Sequence, residues 1–151
     1  MLYTGVEAVM RNLKLLTSPR ILMVDDEIEQ LKLRAQVIEM CGFAAITAYG
    51  PMEAIDIMTA RQRGTIDLVI LDYNMPVMNG CALAQKLRSI RPELKTILHS
   101  GSAGIPRSEM TSVDVLIHKG DGIAPLLKQI VEFARVRMLR SGSSALEVDG
   151  A

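Results

Sequence analysis

The chain has 151 residues, 17 of them basic and 17 acidic, and 49% are hydrophobic, which suits a single domain with a substantial core. Because the charges cancel, we expect no basic surface for a nucleic-acid backbone and no nucleic-acid partner. No apolar run approaches the roughly 18 residues that a membrane-spanning helix needs, so we expect no membrane association. Cys41 and Cys81 lie far apart and are expected to be small buried hydrophobes in a reduced, cytoplasmic protein.

Short apolar runs typical of buried strands alternate with segments of helical periodicity. In chain order, the pattern predicts strand 21–27, helix 28–41, strand 43–49, helix 51–61, strand 66–72, helix 80–91, strands 95–100 and 114–119, and helix 123–140. Within the first helix, apolar residues recur at Ile28, Leu31, Ala35 and Ile38. Gly42 is expected to end that helix, Pro51 suits the first turn of the second, and Asn79 suits a cap of the third.

This alternation predicts an α/β fold in which parallel strands are joined by right-handed crossovers. The result is a doubly wound five-stranded sheet with helices on both faces. Uninterrupted apolar runs such as residues 68–71 favour a sheet that is buried on both sides. Ligands of such sheets bind beyond the carboxyl ends of the strands.

Two terminal segments fall outside the predicted α/β domain of residues 21–140. Residues 141–151 are predicted to be a flexible, solvated tail. Residues 1–20 form an extension with apolar residues at heptad spacing, namely Leu2, Val6, Val9, Leu13 and Leu16. Because two heptads are too few to define a coiled coil, two interpretations stay open. The extension could be a helix that pairs two chains in a homodimer, or a segment that packs on its own domain or frays.

Polar residues follow the apolar part of four predicted strands. They are Asp25 and Asp26 after the first strand, Asp72 after the third, Ser100 after the fourth and Lys119 after the fifth. Three converging carboxylates repel one another, and Mg²⁺ relieves this repulsion while keeping room for a phosphoryl group. Lys119 adds a positive charge for a phosphate oxygen, and Ser100 adds a hydroxyl. We therefore predict a phosphoryl-handling site that depends on Mg²⁺.

The motifs at these strand ends resemble those of the receiver domain of two-component response regulators. They are VDDE (24–27), LDYNMPVMNG (71–80), HSG (99–101) and HKG (118–120), within a resemblance over about residues 21–139. The resemblance implies a flavodoxin-like sheet with strand order 2-1-3-4-5.

The resemblance also implies a role for each site residue. Asp72 would be the phosphoacceptor, Asp25, Asp26, Asp72 and the backbone carbonyl of Asn74 would hold Mg²⁺, Ser100 would be the switch hydroxyl, and Lys119 would contact the phosphoryl group. The implied partners are a histidine kinase or phosphotransfer protein and a downstream protein target. We expect a stand-alone receiver with no enzymatic activity beyond self-phosphorylation and self-dephosphorylation.

The chain departs from the receiver pattern at three places. Leu116 stands where receivers usually carry Tyr or Phe, and Gly120 follows Lys119 where proline is usual. A cis bond without proline costs about 3 kcal/mol or more, so we expect a trans bond and a rearranged loop. The short connection over residues 101–113 contains glycine and proline, which predicts a short or degenerate fourth helix.

These departures leave other functions open. A receiver-like scaffold could bind its partners regardless of phosphorylation. A phosphatase with an aspartyl nucleophile is a further alternative, but it would need a second Asp two residues after the nucleophile. Asn74 and Glu27 occupy those positions after Asp72 and Asp25. His99 and His118 could form a metal- or pH-sensitive pair or be ordinary packed histidines.

Overall fold

The computed structural model describes residues 18–60 and 65–146, together with Gly5 and Glu7. Within this part of the chain, five parallel strands form one sheet in the order β2-β1-β3-β4-β5. The strands are β1 (Arg20–Val24), β2 (Ala44–Ala48), β3 (Leu68–Leu71), β4 (Lys95–Ser100) and β5 (Val115–His118). The predicted fold class and strand order are confirmed.

Four α-helices follow the predicted pattern closely. They are α1 (Ile28–Met40), α2 (Pro51–Thr59), α3 (Gly80–Ile90) and α4 (Ala124–Leu146). Between β4 and β5, the short connection contains a 3₁₀ segment, Arg107–Ser112, where a fourth crossover helix would stand. This agrees with the predicted degenerate helix.

The end of α4 corrects one prediction. The helix continues through Leu146, so residues 141–146 are helical rather than part of a flexible tail. Extending an existing helix costs far less free energy than nucleating one, which explains why a Ser- and Gly-containing segment can follow α4. Residues 147–151 lie outside the described part of the chain.

The sheet buries both of its faces. Leu22, Val24 and Leu71 belong to an apolar cluster that includes side chains of α2 and α3. On the opposite face of the sheet, Met23 lines a small cavity together with Leu31 of α1. Full burial of each such side chain contributes about 1.5–3 kcal/mol. The uninterrupted apolar strands therefore result from helices on both sides of the sheet.

Helix α1 shows how local signals set the element ends. Gly42 has φ of 92° and its N–H donates to the carbonyl of Glu39 at 2.9 Å, while the Phe43 N–H donates to the carbonyl of Ile38 at 3.3 Å. This paired arrangement is a Schellman motif, which glycine favours because it has no Cβ. The predicted stop at Gly42 is confirmed.

Some positions differ from their predicted environments. Ile28 is 42% exposed because it begins α1 at the edge of the helix, although Leu31, Ala35 and Ile38 are buried as predicted. Cys41 is exposed, since it caps the carboxyl end of α1, whereas Cys81 is buried. Both cysteines are free thiols.

The heptad positions from Leu2 to Leu16 lie outside the described residues, so chain pairing through the extension stays a prediction. In the part of the chain that the structure does describe, no helix combines the length and apolar character needed to cross a membrane.

Gly80 lies where the start of α3 passes close to β3. A Cβ at this position would be 2.2 Å from the backbone oxygen of Asp72 and 2.9 Å from Leu98 Cδ1. The Gly80 N–H donates to the carbonyl of Tyr73 at 2.9 Å, which holds the two segments together. Glycine at the end of the LDYNMPVMNG motif is therefore required by packing against the residue that follows β3.

We expect Gly80→Ala to lower the free energy of unfolding by about 2 kcal/mol or more, because the backbone around Asp72 would have to move. Urea denaturation measures this change. Gly101→Ala is the control, since an added Cβ there would meet no atom within 4 Å. Equal stability of the two variants would contradict the proposed close approach.

Candidate functional site

The strand order brings the predicted site residues to one edge of the sheet. Strands β1 and β3 are neighbours, with Val24 paired to Leu71, so the following residues, Asp25 and Asp72, lie side by side. The Asp72 N–H continues this pairing by donating to the carbonyl of Val24 at 3.0 Å. Two carboxylates that are 47 positions apart in sequence thus become neighbours.

Asp25, Asp26 and Asp72 form what we call the acidic cluster. One carboxylate oxygen from each residue lies within 4.8 Å of the other two. Asp25 is 1% exposed and Asp72 is 8% exposed, whereas Asp26 faces solvent. The cluster offers hard oxygen donors with one side open to water, which is the type of site that Mg²⁺ prefers.

Lys119 reaches the acidic cluster from the end of β5. Its Nζ lies 2.8 Å from Asp25 Oδ2 and 3.4 Å from Asp72 Oδ2. Lys119 begins a 3₁₀ turn that ends at Asp121, and none of the described peptide bonds is cis. The Lys119–Gly120 bond is therefore trans, as predicted, and this conformation still directs the ammonium group to the two carboxylates.

Arg34 is a component of the site that the sequence motifs did not identify. Its Nη2 donates to Asp25 Oδ2, and its side chain is only 15% exposed. The available signal was its spacing, because Arg34 follows Leu31 by three residues and precedes Ile38 by four, next to the buried stripe of α1. A cation at the margin of an apolar stripe is a candidate partner for a buried acid.

The pKa values of the two buried acids shift in opposite directions. Burial acts to raise the pKa of Asp25, but hydrogen bonds from Lys119 and the Glu27 N–H, and the charges of Lys119 and Arg34, hold it below its usual range. Burial raises the pKa of Asp72; Lys119 opposes this shift, and the negative charge of Asp25 adds to it. Asp72 is thus the less well compensated charge, and a divalent cation would supply the missing compensation.

Ser100 and Asn74 are both hydrogen-bonded to a third residue, Ser102. Ser100 is buried at the end of β4, and its Oγ accepts a hydrogen bond from the Ser102 N–H at 3.1 Å. The side chain of Asn74 donates to the Ser102 hydroxyl oxygen. Ser102 was not predicted as a site residue, although it directly follows the HSG motif. The predicted roles of the Ser100 hydroxyl and the Asn74 carbonyl remain predictions.

Tyr73 connects Asp72 to the 3₁₀ segment between β4 and β5. Its N–H donates to Asp72 Oδ1 at 2.8 Å, and its hydroxyl donates to Glu109 Oε2 at 2.8 Å. The hydrogen bond to Glu109 raises the pKa of the Tyr73 phenol. Tyr73 and Leu116 both pack against the apolar cluster under this surface. An aromatic ring is therefore present near the site, in the segment after β3 rather than at position 116.

The loop after Asp72 contains local strain. Val77 has φ of 77°, a left-handed conformation that β-branched residues rarely adopt, and its side chain is 83% exposed. Such conformations cost on the order of 1–3 kcal/mol and concentrate at functional sites. The strain lies in the segment that connects Asp72 to α3.

The two histidines do not form a pair. In the β4–β5 register, His99 faces Ile117 and Ser100 faces His118, so the imidazoles lie on opposite sides of the sheet. His99 is buried beside Arg34. His99, Arg34 and Asp25 line a cavity of about 10 Å³. Burial lowers the pKa of His99 to about 4, and the positive charges of Arg34 and Lys119 contribute. His99 is a packed, neutral residue.

The chain belongs to the response regulator receiver domain family, which functions in two-component signalling. The family model matches residues 21–114, so the match ends before β5 and Lys119.

Among curated proteins, the autoinducer 1 sensor kinase/phosphatase LuxN of Vibrio campbellii is 30% identical over 58% of this chain. The C4-dicarboxylate transport transcriptional regulatory protein DctD of Rhizobium meliloti is 33% identical over 59% of this chain. These matches cover only 10% and 19% of the two relatives.

Solved structures agree with this assignment. A receiver domain protein from Methanospirillum hungatei superposes with a TM-score of 0.72 at 26% identity, covering 82% of this chain and 98% of that one. The response regulator TrrA from Thermotoga maritima, solved in complex with Mg²⁺ and BeF, gives a TM-score of 0.67 at 28% identity. That match covers 76% of this chain and 97% of TrrA.

The low pKa of His99 predicts a pH dependence of stability. The unfolded imidazole takes up a proton near pH 6.5, whereas the folded one does so near pH 4. The neutral imidazole therefore makes its full contribution to the free energy of unfolding above about pH 6.5. This contribution, up to about 3 kcal/mol, is lost as the pH falls toward 4. His99→Leu should show a smaller loss of the free energy of unfolding over this interval in urea denaturation.

His118→Gln is the matched control, because it removes the exposed histidine and keeps His99. If His99→Leu and His118→Gln lose stability equally between pH 6.5 and 4, burial of His99 is not the cause.

Proposed function

We propose that this chain is a phosphoryl-accepting switch in a two-component phosphorelay, phosphorylated on Asp72 in a reaction that depends on Mg²⁺. The observation that carries the proposal is the placement of the Asp72 carboxylate, which lies in the acidic cluster with Lys119 Nζ 3.4 Å away. Membership of the receiver family supports it. The donor would be a histidine kinase or a phosphotransfer protein, and similarity to LuxN, a sensor kinase/phosphatase, is compatible with that pathway.

Phosphorylation would proceed by nucleophilic attack on the donor. A carboxylate oxygen of Asp72 attacks the phosphorus, a new P–O bond forms, and the bond to the donor breaks with its electron pair leaving on the donor. Lys119 favours the ionised carboxylate and would stabilise the charge on the phosphoryl oxygens. The buried setting of Asp72 orients one carboxylate edge, because its Oδ1 is held by the Tyr73 N–H.

The donor set fits Mg²⁺. Asp25, Asp26, Asp72 and the carbonyl of Asn74 would hold the ion, which would neutralise charge between the carboxylates and the phosphoryl group. The Mg²⁺ and BeF complex of TrrA supports this choice of ion.

The phosphorylated state would alter contacts on one surface. A phosphoryl group on Asp72 would carry about −1.5 to −2 charge in place of the −1 of the carboxylate, and its oxygens would attract Ser100 and Lys119 and shift the balance between two conformations. Output would pass to a downstream protein by direct contact. We also propose a cytoplasmic location, and no enzymatic turnover beyond self-phosphorylation and self-dephosphorylation.

Intact-mass measurement tests the proposal directly. After incubation with a small acyl phosphate and Mg²⁺, we expect the wild-type chain to gain the mass of one phosphoryl group. Asp72→Asn should gain none, because an amide cannot attack phosphorus in this way. Chelation of Mg²⁺ should abolish the gain in the wild type.

Asp56→Asn is a control acid on α2, outside the acidic cluster, and should be phosphorylated as the wild type is. A phosphoryl gain retained in Asp72→Asn would reject Asp72 as the acceptor.

A second candidate function is a scaffold whose binding ignores phosphorylation. Two observations favour it, namely Leu116 in place of the usual aromatic residue and a 3₁₀ segment in place of a fourth crossover helix. The contact between Tyr73 and Glu109 favours the switch instead, because it joins the residue next to Asp72 to that same 3₁₀ segment.

Hydrogen exchange with and without beryllium fluoride and Mg²⁺ separates the two candidates. For a switch, we expect amide protection in Arg107–Ser112 to change when this phosphoryl mimic binds. Tyr73→Phe, which removes the hydroxyl that donates to Glu109, should reduce that response.

Tyr49→Phe removes a phenol from the end of β2 and should respond as the wild type does. Binding of the mimic without any change of protection in the 3₁₀ segment would favour the scaffold.

A further inference from the structure

Asp25 shares its carboxylate among three donors. Lys119 Nζ lies 2.8 Å from Oδ2, Arg34 donates to the same oxygen, and the Glu27 N–H donates to Oδ1 at 3.0 Å. We propose that Arg34 is a positioning residue that acts as an internal counter-cation of Asp25 and weakens the binding of Mg²⁺ to the acidic cluster. This inference rests on the proposed function, because it concerns the ion that phosphorylation would require.

The position of Arg34 keeps its charge at the site. The residue lies on α1 within the helix face that buries Leu31 and Ile38, and 15% of its side chain is exposed. Its Nε is buried and has no hydrogen-bond partner among the described residues. A guanidinium does not lose its proton in proteins, and separating it from Asp25 would leave a buried charge uncompensated. Arg34 therefore remains a fixed cation next to Asp25.

A count of charges shows the consequence for a divalent cation. The three ionised carboxylates of the acidic cluster face the two cations Lys119 and Arg34, so this group carries a net charge of −1. Without Arg34 the net charge would be −2. The affinity of carboxylate sites for divalent cations increases with the charge of the ligands, and like charges repel. Arg34 also shares Asp25 Oδ2 with Lys119, so it is one of two cations at an oxygen that Mg²⁺ could bind.

The alternative is that Arg34 merely anchors α1 to the sheet. A purely structural ion pair would change the stability of the folded chain when it is removed, but it would leave the affinity for Mg²⁺ unchanged or lower it through disorder of Asp25. The counter-cation role makes the opposite prediction for affinity. The sign of the change in Mg²⁺ affinity therefore separates the two roles.

Calorimetric titration of Mg²⁺ into the wild-type chain and into Arg34→Met makes this measurement. We expect the dissociation constant of Arg34→Met to be lower by about tenfold or more, because one unit of repelling charge is removed. Asp25 keeps its contacts with Lys119 and the Glu27 N–H in this variant. Arg34→Lys preserves the charge and should bind Mg²⁺ with nearly the wild-type affinity. If the methionine variant does not fold, Arg34→Gln provides the same removal of charge.

Arg88→Met is the matched control for a change of net charge. Arg88 forms two hydrogen bonds with the carboxylate of Asp114, at 2.8 and 2.7 Å, outside the acidic cluster. The affinity of the Arg88→Met variant for Mg²⁺ should equal that of the wild type. Equal tightening in Arg88→Met and Arg34→Met would assign the effect to overall charge and overturn the inference.

Failure of this inference can be distinguished from failure of the proposed function. Unchanged or weaker Mg²⁺ binding by the charge-removing variants of Arg34 overturns the inference, even if the wild type is phosphorylated on Asp72. Tighter binding in these variants supports the inference, even if no form of the chain accepts a phosphoryl group and the proposed function fails.

Discussion

Two buried carboxylates, Asp25 and Asp72, lie at the same edge of a parallel sheet, and their mutual repulsion has to be balanced within the protein. The pairing of β1 with β3 places them side by side, and the apolar strands behind them exclude water. Lys119 contacts both acids, and Arg34 contacts Asp25. Burial raises the pKa of Asp72, and because the compensation favours Asp25, this shift remains. The uneven distribution of charge leaves Asp72 as the carboxylate that a bound cation would stabilise most, and as the one available to a reactive phosphoryl group.

Contacts extend from Asp72 to the surface on the side of β4. Tyr73 reaches Glu109, and Asn74 reaches Ser102, which in turn donates to Ser100. The acidic cluster and the connection between β4 and β5 are therefore joined by side-chain hydrogen bonds. This connection is also where the chain departs most from the usual receiver pattern, with a 3₁₀ segment and no aromatic residue at position 116. The acidic residues meet as the sequence predicted, and the predicted departures from the receiver pattern lie next to them.

The sequence predicted the strands, the helices and most of the site because each rests on a local signal. Uninterrupted apolar runs predict strands with two buried faces, and Gly42 and Asn79 define helix ends through hydrogen bonds a few residues away. Polar residues at strand ends predicted that Asp25, Asp26, Asp72 and Lys119 would meet. The end of α4 was missed, since residues added to an existing helix avoid the cost of nucleation that a Ser- and Gly-containing segment would meet alone.

Arg34, Ser102 and the contact between Tyr73 and Glu109 became evident only in the tertiary structure. Their partners lie between 2 and 36 positions away in sequence, and the longer separations have no pattern that a local reading can detect. The same holds for the environment of His99, whose low pKa depends on what surrounds the imidazole. By itself the sequence determined the element order, the polar residues at the strand ends and the family. The folded chain decided which charges compensate one another, because electrostatic energy depends on distance and burial in space.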